Sequence, residues 1–150
     1  MGNHPYDLNR SAGFMMGSAY RKMTAVFHGR LKEFEITPEQ WSVLYYVCLE
    51  DGQIQKELAD RSGKDRPTTT RLLDLLEKKG LVYRKTGERD RRSFKVYATD
   101  RGRELIRVTL PIEKKMTEEV RRCVTDEEYD LLMALLVRVN DHMKGILEES

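Results

Sequence analysis

The change of hydrophobic period in the middle of this chain constrains its fold more than any other feature. From Gln53 to Arg103 the sequence reads helix, tight turn, helix, basic hairpin and the start of another helix. Within residues 55–63, Leu58 and Ala59 face inward and Gly63 permits the positive φ of a sharp stop. A second helix must follow at once. Asp65 or Arg66 suits its N-cap, Pro67 suits its N1 position, and Gly80 suits its C′ position. Thr69, Leu72, Leu73 and Leu76 recur at three- and four-residue steps and form the buried stripe. The opposite face carries Thr68, Thr70, Arg71, Asp74 and Lys78. Short hydroxyl donors and one Arg near the N-terminal end are what a helix needs to reach base edges in a major groove.

After Gly80 the pattern turns from helical to alternating, which predicts two hairpin strands, Leu81–Lys85 and Phe94–Ala98, with Phe94, Val96 and Ala98 on one side. Arg84, Lys85 and Lys95 on these strands, with Lys78, are placed at phosphates. The loop Thr86–Ser93 is too polar to pack. With Arg89, Arg91 and Arg92 it suits a narrow A·T minor groove, whose negative potential attracts inserted Arg. Thr99, with Gly102 three residues on, predicts the N-cap of the next helix.

Three runs carry a family resemblance: Leu-Glu-Lys-Lys-Gly-Leu-Val over residues 76–82, Asp-Arg-Arg over 90–92, and Ala-Thr-Asp-Arg-Gly over 98–102. In their order and spacing the chain resembles the MarR family of bacterial transcription regulators over almost its whole length. Ala98 stands where that family more often has Leu. The resemblance implies a mainly α fold with a small β-hairpin wing, a winged helix-turn-helix flanked by N- and C-terminal dimerisation helices. It implies that Asp90 orders the wing and that Arg92 reaches the minor groove. It also implies a homodimer whose two recognition helices lie about 34 Å apart, one DNA turn.

Charge agrees with a local polyanion site. Residues 64–103 hold 13 Lys or Arg against 6 Asp or Glu, leaving 14 against 19 elsewhere, so a basic centre sits on an otherwise acidic chain. A length of 150 residues predicts a single domain, with residues 37–103 as the DNA-binding module and 6–34 and 104–150 as dimerisation helices. Cys48 and Cys123 lack metal-ligand spacing, and His4, His28 and His142 lie far apart, so neither metal nor cofactor is expected. No signal peptide or long apolar run is present, which predicts a cytoplasmic protein without membrane contact. Catalytic fingerprints are missing too, so no enzyme is expected.

Flanking the centre, residues 6–34 predict one long helix with Ala12, Met15, Ala19, Met23, Val26, Phe27, Leu31 and Phe34 on its stripe. A bend or break is expected near Gly13, Gly17 or Gly29. Thr37-Pro-Glu-Gln40 predicts a capping box opening a helix that carries Trp41, Leu44, Tyr45, Val47, Cys48 and Leu49 up to Gly52. Cys48 on that stripe reads as an inert core thiol. Leu105, Val108, Ile112, Met116 and Val120 predict a fifth helix with Pro111 as a kink, and Thr125-Asp-Glu-Glu128 caps a sixth.

These readings predict a regulator, a homodimeric repressor of a pseudo-palindromic operator in double-stranded DNA. The alternative is a winged-helix adaptor that binds protein and no specific DNA. The resembled family often binds aromatic carboxylates between its dimer bundle and its reading module. Tyr20, Arg21, Trp41, Tyr45 and Tyr46 are the candidates here for such an effector, with core packing as the competing role for the Trp and the two neighbouring Tyr.

Overall fold

The computed structural model describes residues 5–86 and 94–150. Helix α1 spans Ala12–Leu31, between single 3-10 turns at Leu8–Arg10 and Lys32–Phe34. It is shorter than the predicted 6–34 because Ser11 is extended at one end, and Glu35 takes a left-handed turn at φ 55° at the other. It runs unbroken through Gly13, Gly17 and Gly29. Helix α2, Pro38–Leu49, opens with the predicted capping box: the Gln40 N–H donates to Thr37 Oγ1 at 3.2 Å, and the Thr37 N–H donates to Gln40 Oε1 at 3.4 Å.

Strand β1, Gln53–Ile54, precedes α3, Gln55–Ser62. Gly63 then turns at φ 68°, and α4 runs Arg66–Lys78. Strands β2, Val82–Thr86, and β3, Phe94–Ala98, pair antiparallel, and β1 adds to the far edge of β3, giving the order β1-β3-β2. The expected two-stranded wing is thus a three-stranded sheet. A two-residue strand shows no hydrophobic period, which is why β1 escaped the sequence pattern.

Residues Met1–Ile112 and Glu113–Ser150 form two compact units. The first has its core where α2, α3 and α4 pack on one another and on the sheet, with Leu44, Val47, Leu58, Leu72, Leu73, Leu76 and Val96 fully buried. Helix α5, Asp100–Arg122, starts in this unit and ends in the second. Its inner face in the first unit is Gly102, Ile106 and Thr109, one step round from the predicted Leu105 and Val108. Small and polar residues hide this face from a hydrophobicity pattern. The α5 backbone meets its neighbour so closely at Gly102 that a Cβ there would lie 2.2 Å from the Leu81 carbonyl oxygen.

The division between units falls just after Pro111, whose missing N–H leaves the Arg107 carbonyl without its helical donor. In the second unit, α6 spans Asp126–Glu149 behind the predicted capping box at Thr125 and Glu128. The Arg121 guanidinium lies over the Tyr129 ring at 3.9 Å, bracing the turn between α5 and α6.

Candidate nucleic-acid interface

The geometry of α4 begins at its cap. The Asp65 carboxylate accepts the Thr68 backbone N–H at 2.7 Å, so Asp65 is the N-cap, Arg66 is N1, and Pro67 is N2 rather than N1. Pro67 still costs nothing there, because N–H groups of the first turn have no helical acceptor. That backbone N–H, helped by the Thr68 hydroxyl and the nearby Arg71 charge, holds the Asp65 carboxyl below its ordinary range. Thr69, Leu72, Leu73 and Leu76 are buried as predicted, which turns Thr68, Thr70, Arg71, Asp74 and Lys78 outward.

The outward Thr70 is not a free hydroxyl donor. Thr70 Oγ1 donates to the Arg66 carbonyl at 2.9 Å. Even the inward Thr69 spends its proton on the Asp65 carbonyl, at 2.8 Å. Gln55, the first residue of α3, donates from Nε2 to Thr70 Oγ1 and ties the two helices together. Arg71, by contrast, is exposed, and its ion pair with Glu39, at 3.9 Å, is too long and too wet to hold it. Lys78 is exposed at the other end of the helix.

Register sorts the wing into two faces. Tyr83 sits opposite Tyr97 and Lys85 opposite Lys95, while Arg84 sits opposite Val96 on the other side. On the first face the two Tyr rings stack at 5.3 Å, and the Lys85 ammonium lies 5.7 Å and 5.4 Å from their centroids. On the second, Arg84 turns back to α4. Its Nε donates to Glu77 at 2.8 Å and its NH2 reaches Asp74. Partial burial alone would lower the Arg84 pKa, but the hydrogen bonds to Asp74 and Glu77 outweigh it and raise the value. Arg84 was expected at phosphates. Its guanidinium instead fastens the wing to the recognition helix, because strand alternation points it at two carboxylates.

A model of the MarR family matches residues 34–93, which is the stretch from the α1–α2 turn through the wing. The crystal structure of MarR resembles the chain with a TM-score of 0.80 at 26% identity, covering 98% of this chain and 100% of that one. Residues 34–93 of the chain carry a MarR-family winged helix. Two further MarR-like structures hold DNA. The Staphylococcus aureus MepR–DNA complex matches at a TM-score of 0.81 and 25% identity, over 88% of this chain and 98% of that one. The transcriptional repressor CouR, bound to a 23-mer duplex, matches at 0.79 and 26%, over 93% of this chain and 99% of that one.

Several predicted site residues fall elsewhere. Arg89, Asp90, Arg91 and Arg92 lie outside the described residues. Of the five effector candidates, Trp41, Tyr45 and Tyr46 form one aromatic cluster. Trp41 stacks on Tyr45 at 5.5 Å, Tyr45 meets Tyr46 edge-on at 5.3 Å, and Phe27 meets Trp41 edge-on at 5.4 Å. Trp41 is buried and its indole N–H donates to Thr109 Oγ1 at 2.7 Å, so its ring is core. Tyr20 and Arg21 are exposed on α1 with no ring contact to that cluster among the described residues. A cavity of about 480 Å³ opens between the α1–α2 turn, the end of α4 and the start of α5; Phe34, Lys79, Arg101 and Leu105 are among its lining, and none of the five is. Among the described residues no cluster of three potential metal ligands occurs, and no helix is long and apolar enough to cross a membrane. The sequence reading missed Gln55, which carries no charge or period to mark it, and the paired Tyr83 and Tyr97, which strand alternation alone could have placed together.

Proposed function

We propose that this chain is a transcription regulator, a homodimeric repressor that binds a pseudo-palindromic operator in double-stranded DNA. The observation that carries this reading is the direct opposition of Lys85 and Lys95 across the wing. Like charges facing one another on a hairpin destabilise it, and no acidic partner offsets either among the described residues. A polyanion supplies the missing counter-charge. In this reading Thr68, Thr70 and Arg71 face bases, while Lys78, Lys85 and Lys95 meet phosphates. Arg89, Arg91 and Arg92 enter the minor groove and Asp90 orders the tip. Residues 1–150 act as one MarR-like domain in the cytoplasm, with 37–103 reading DNA and the flanking helices joining two copies. A small aromatic effector releases the operator by engaging Tyr20, Arg21 and the half-buried rings of Tyr45 and Tyr46, with Trp41 holding Tyr45 in place. The proposed activity is binding, without a catalytic step or cofactor.

The test separates the two kinds of contact. With an operator selected from a random duplex pool, Lys95→Ala should weaken all sequences alike and make the salt slope shallower by about one unit. Arg71→Ala should relax sequence preference instead. A Lys95→Ala protein with altered preference and an unchanged slope would reverse the assignment, and failure of the native protein to retain any duplex would overturn DNA binding itself.

A further inference from the structure

We infer that Gln55 and Thr70 form a joint base-reading pair, in which Thr70 offers its methyl group to a thymine and Gln55 offers its amide to an adenine. The inference rests on the DNA-binding reading above and specifies how the reading is done.

A threonine hydroxyl has one proton, and that of Thr70 goes to the Arg66 carbonyl at 2.9 Å. One of its lone pairs accepts from Gln55 Nε2. The hydroxyl is therefore tied on both sides, and the unengaged part of this outward side chain is its methyl. A methyl at the N-terminal end of a recognition helix has one distinctive partner in the major groove, the C5-methyl of thymine. Gln55 spends one of its two amide protons on Thr70, and its Oε1 has no partner among the described residues. One donor and one acceptor remain side by side. That is the pair required for bidentate contact with adenine N7 and N6. Thr70 thereby fixes the rotation of an amide that would otherwise turn freely, so Gln55 is presented in one orientation and the two residues act together. Both are half-buried, fixed enough to be ordered and open enough to be reached.

The competing account is that the bond only staples α3 to α4. Thr70→Ser separates the two, since it keeps the hydroxyl and both hydrogen bonds while deleting only the methyl. On the DNA side, deoxyuridine in place of thymidine deletes only the C5-methyl, and 7-deazaadenine deletes only N7. For the native dimer on its selected operator, uracil at one thymine of a single half-site should weaken binding about fourfold. Thr70→Ser should bind the thymine and uracil operators equally. At an adenine of the same half-site, 7-deazaadenine should cost the native protein on the order of tenfold, and Gln55→Ala should be indifferent to it. Native binding that is insensitive to uracil at every position overturns the inference. So does a Thr70→Ser protein that keeps the fourfold effect, or a Gln55→Ala protein that keeps its response to 7-deazaadenine. In these outcomes an operator is still selected and DNA binding stands, whereas a native protein that selects no duplex brings down both.

Discussion

Cys48 shows how one side chain's surroundings set its chemistry. Burial pushes its thiol up to about 11, with Asp51 reinforcing that shift and Arg103 opposing it. The thiolate is the reactive form, so at pH 8 only about a thousandth of the folded protein carries it. Alkylation of Cys48 at pH 8 should therefore speed up on the order of a hundredfold when the chain is unfolded in denaturant, as the pKa returns toward 9.0. Equal rates in the two states would contradict the burial argument. The sign for stability follows. Between about pH 9 and 11 the unfolded chain has lost this proton and the folded chain keeps it, so Cys48 makes stability fall as pH rises through that window. Cys48→Ala should lose that component of the decline. Arg84 offers a second residue-level prediction. Its side chain is 20% exposed and serves Asp74 and Glu77 at once, so Arg84→Met should destabilise the fold by about 0.5–1 kcal/mol in denaturant melts. Because the guanidinium faces α4 and not solvent, the same variant should leave the salt slope of DNA binding unchanged. A slope shallower by a full unit would put Arg84 back on a phosphate.

At the scale of elements, the entry of α5 depends on contact between backbones. The Gly102 N–H donates to Thr99 Oγ1 at 3.1 Å, while the Thr99 hydroxyl donates to the Gly80 carbonyl at 2.7 Å and the Thr99 N–H to the Leu81 carbonyl at 3.0 Å, so two bonds from Thr99 hold the helix start against the segment that follows α4. A methyl at residue 102 would meet the rigid Leu81 carbonyl at 2.2 Å. Gly102→Ala should therefore cost about 1–3 kcal/mol despite its better helix propensity, read as a lowered melting temperature. An unchanged melt would show that α5 shifts freely. The Thr99–Gly102 spacing was visible in the sequence as a cap, but the contact with Leu81 was not, since no pattern reports which backbone lies opposite. The same division runs through the fold. Helix α4 was legible because four apolar or threonine positions repeat at helical steps and Asp65 and Gly80 bound them. The boundaries of α1 were not, because Ser11 is extended without a side-chain cap bond and the chain tightens into a 3-10 turn at Lys32–Phe34, changes of backbone that no residue type announces. At the candidate site, charge density marked a basic region, yet charge alone could not distinguish Arg84, which has partners within the chain, from Lys85 and Lys95, which face one another. Nor could residue type show that the hydroxyls of Thr69 and Thr70 are already occupied.

For the molecule as a whole, the decisive feature is what α6 leaves uncovered. Leu131, Leu132, Met133, Leu135, Val137, Val139, Met143, Ile146 and Leu147 are all exposed, and no residue of the helix is buried. Helix α1 likewise exposes Phe14, Met15, Tyr20, Met23 and Val26. A monomer in water rarely leaves so many large apolar side chains exposed, because each one left wet forgoes about 1.5–3 kcal/mol of burial. The proposed homodimer would cover such faces with a second copy, and its symmetry would also present two α4 helices to two half-sites. Such an interface resembles a core cut in half, and permanent ones often exceed about 2,000 Å². Leu136→Asp and Val139→Asp place unpaired carboxylates where that interface is dry. They should give aggregated or unfolded protein in place of a stable monomer, since the folded protomer gains much of its stability from association. Operator binding should disappear with the dimer, because a single half-site offers too few contacts to be specific and the second is gained only through linkage. Sedimentation of the native protein at low micromolar concentration decides the matter: a mass of twice 17.6 kDa is expected, and a compact monomer that still selects its operator would refute the argument.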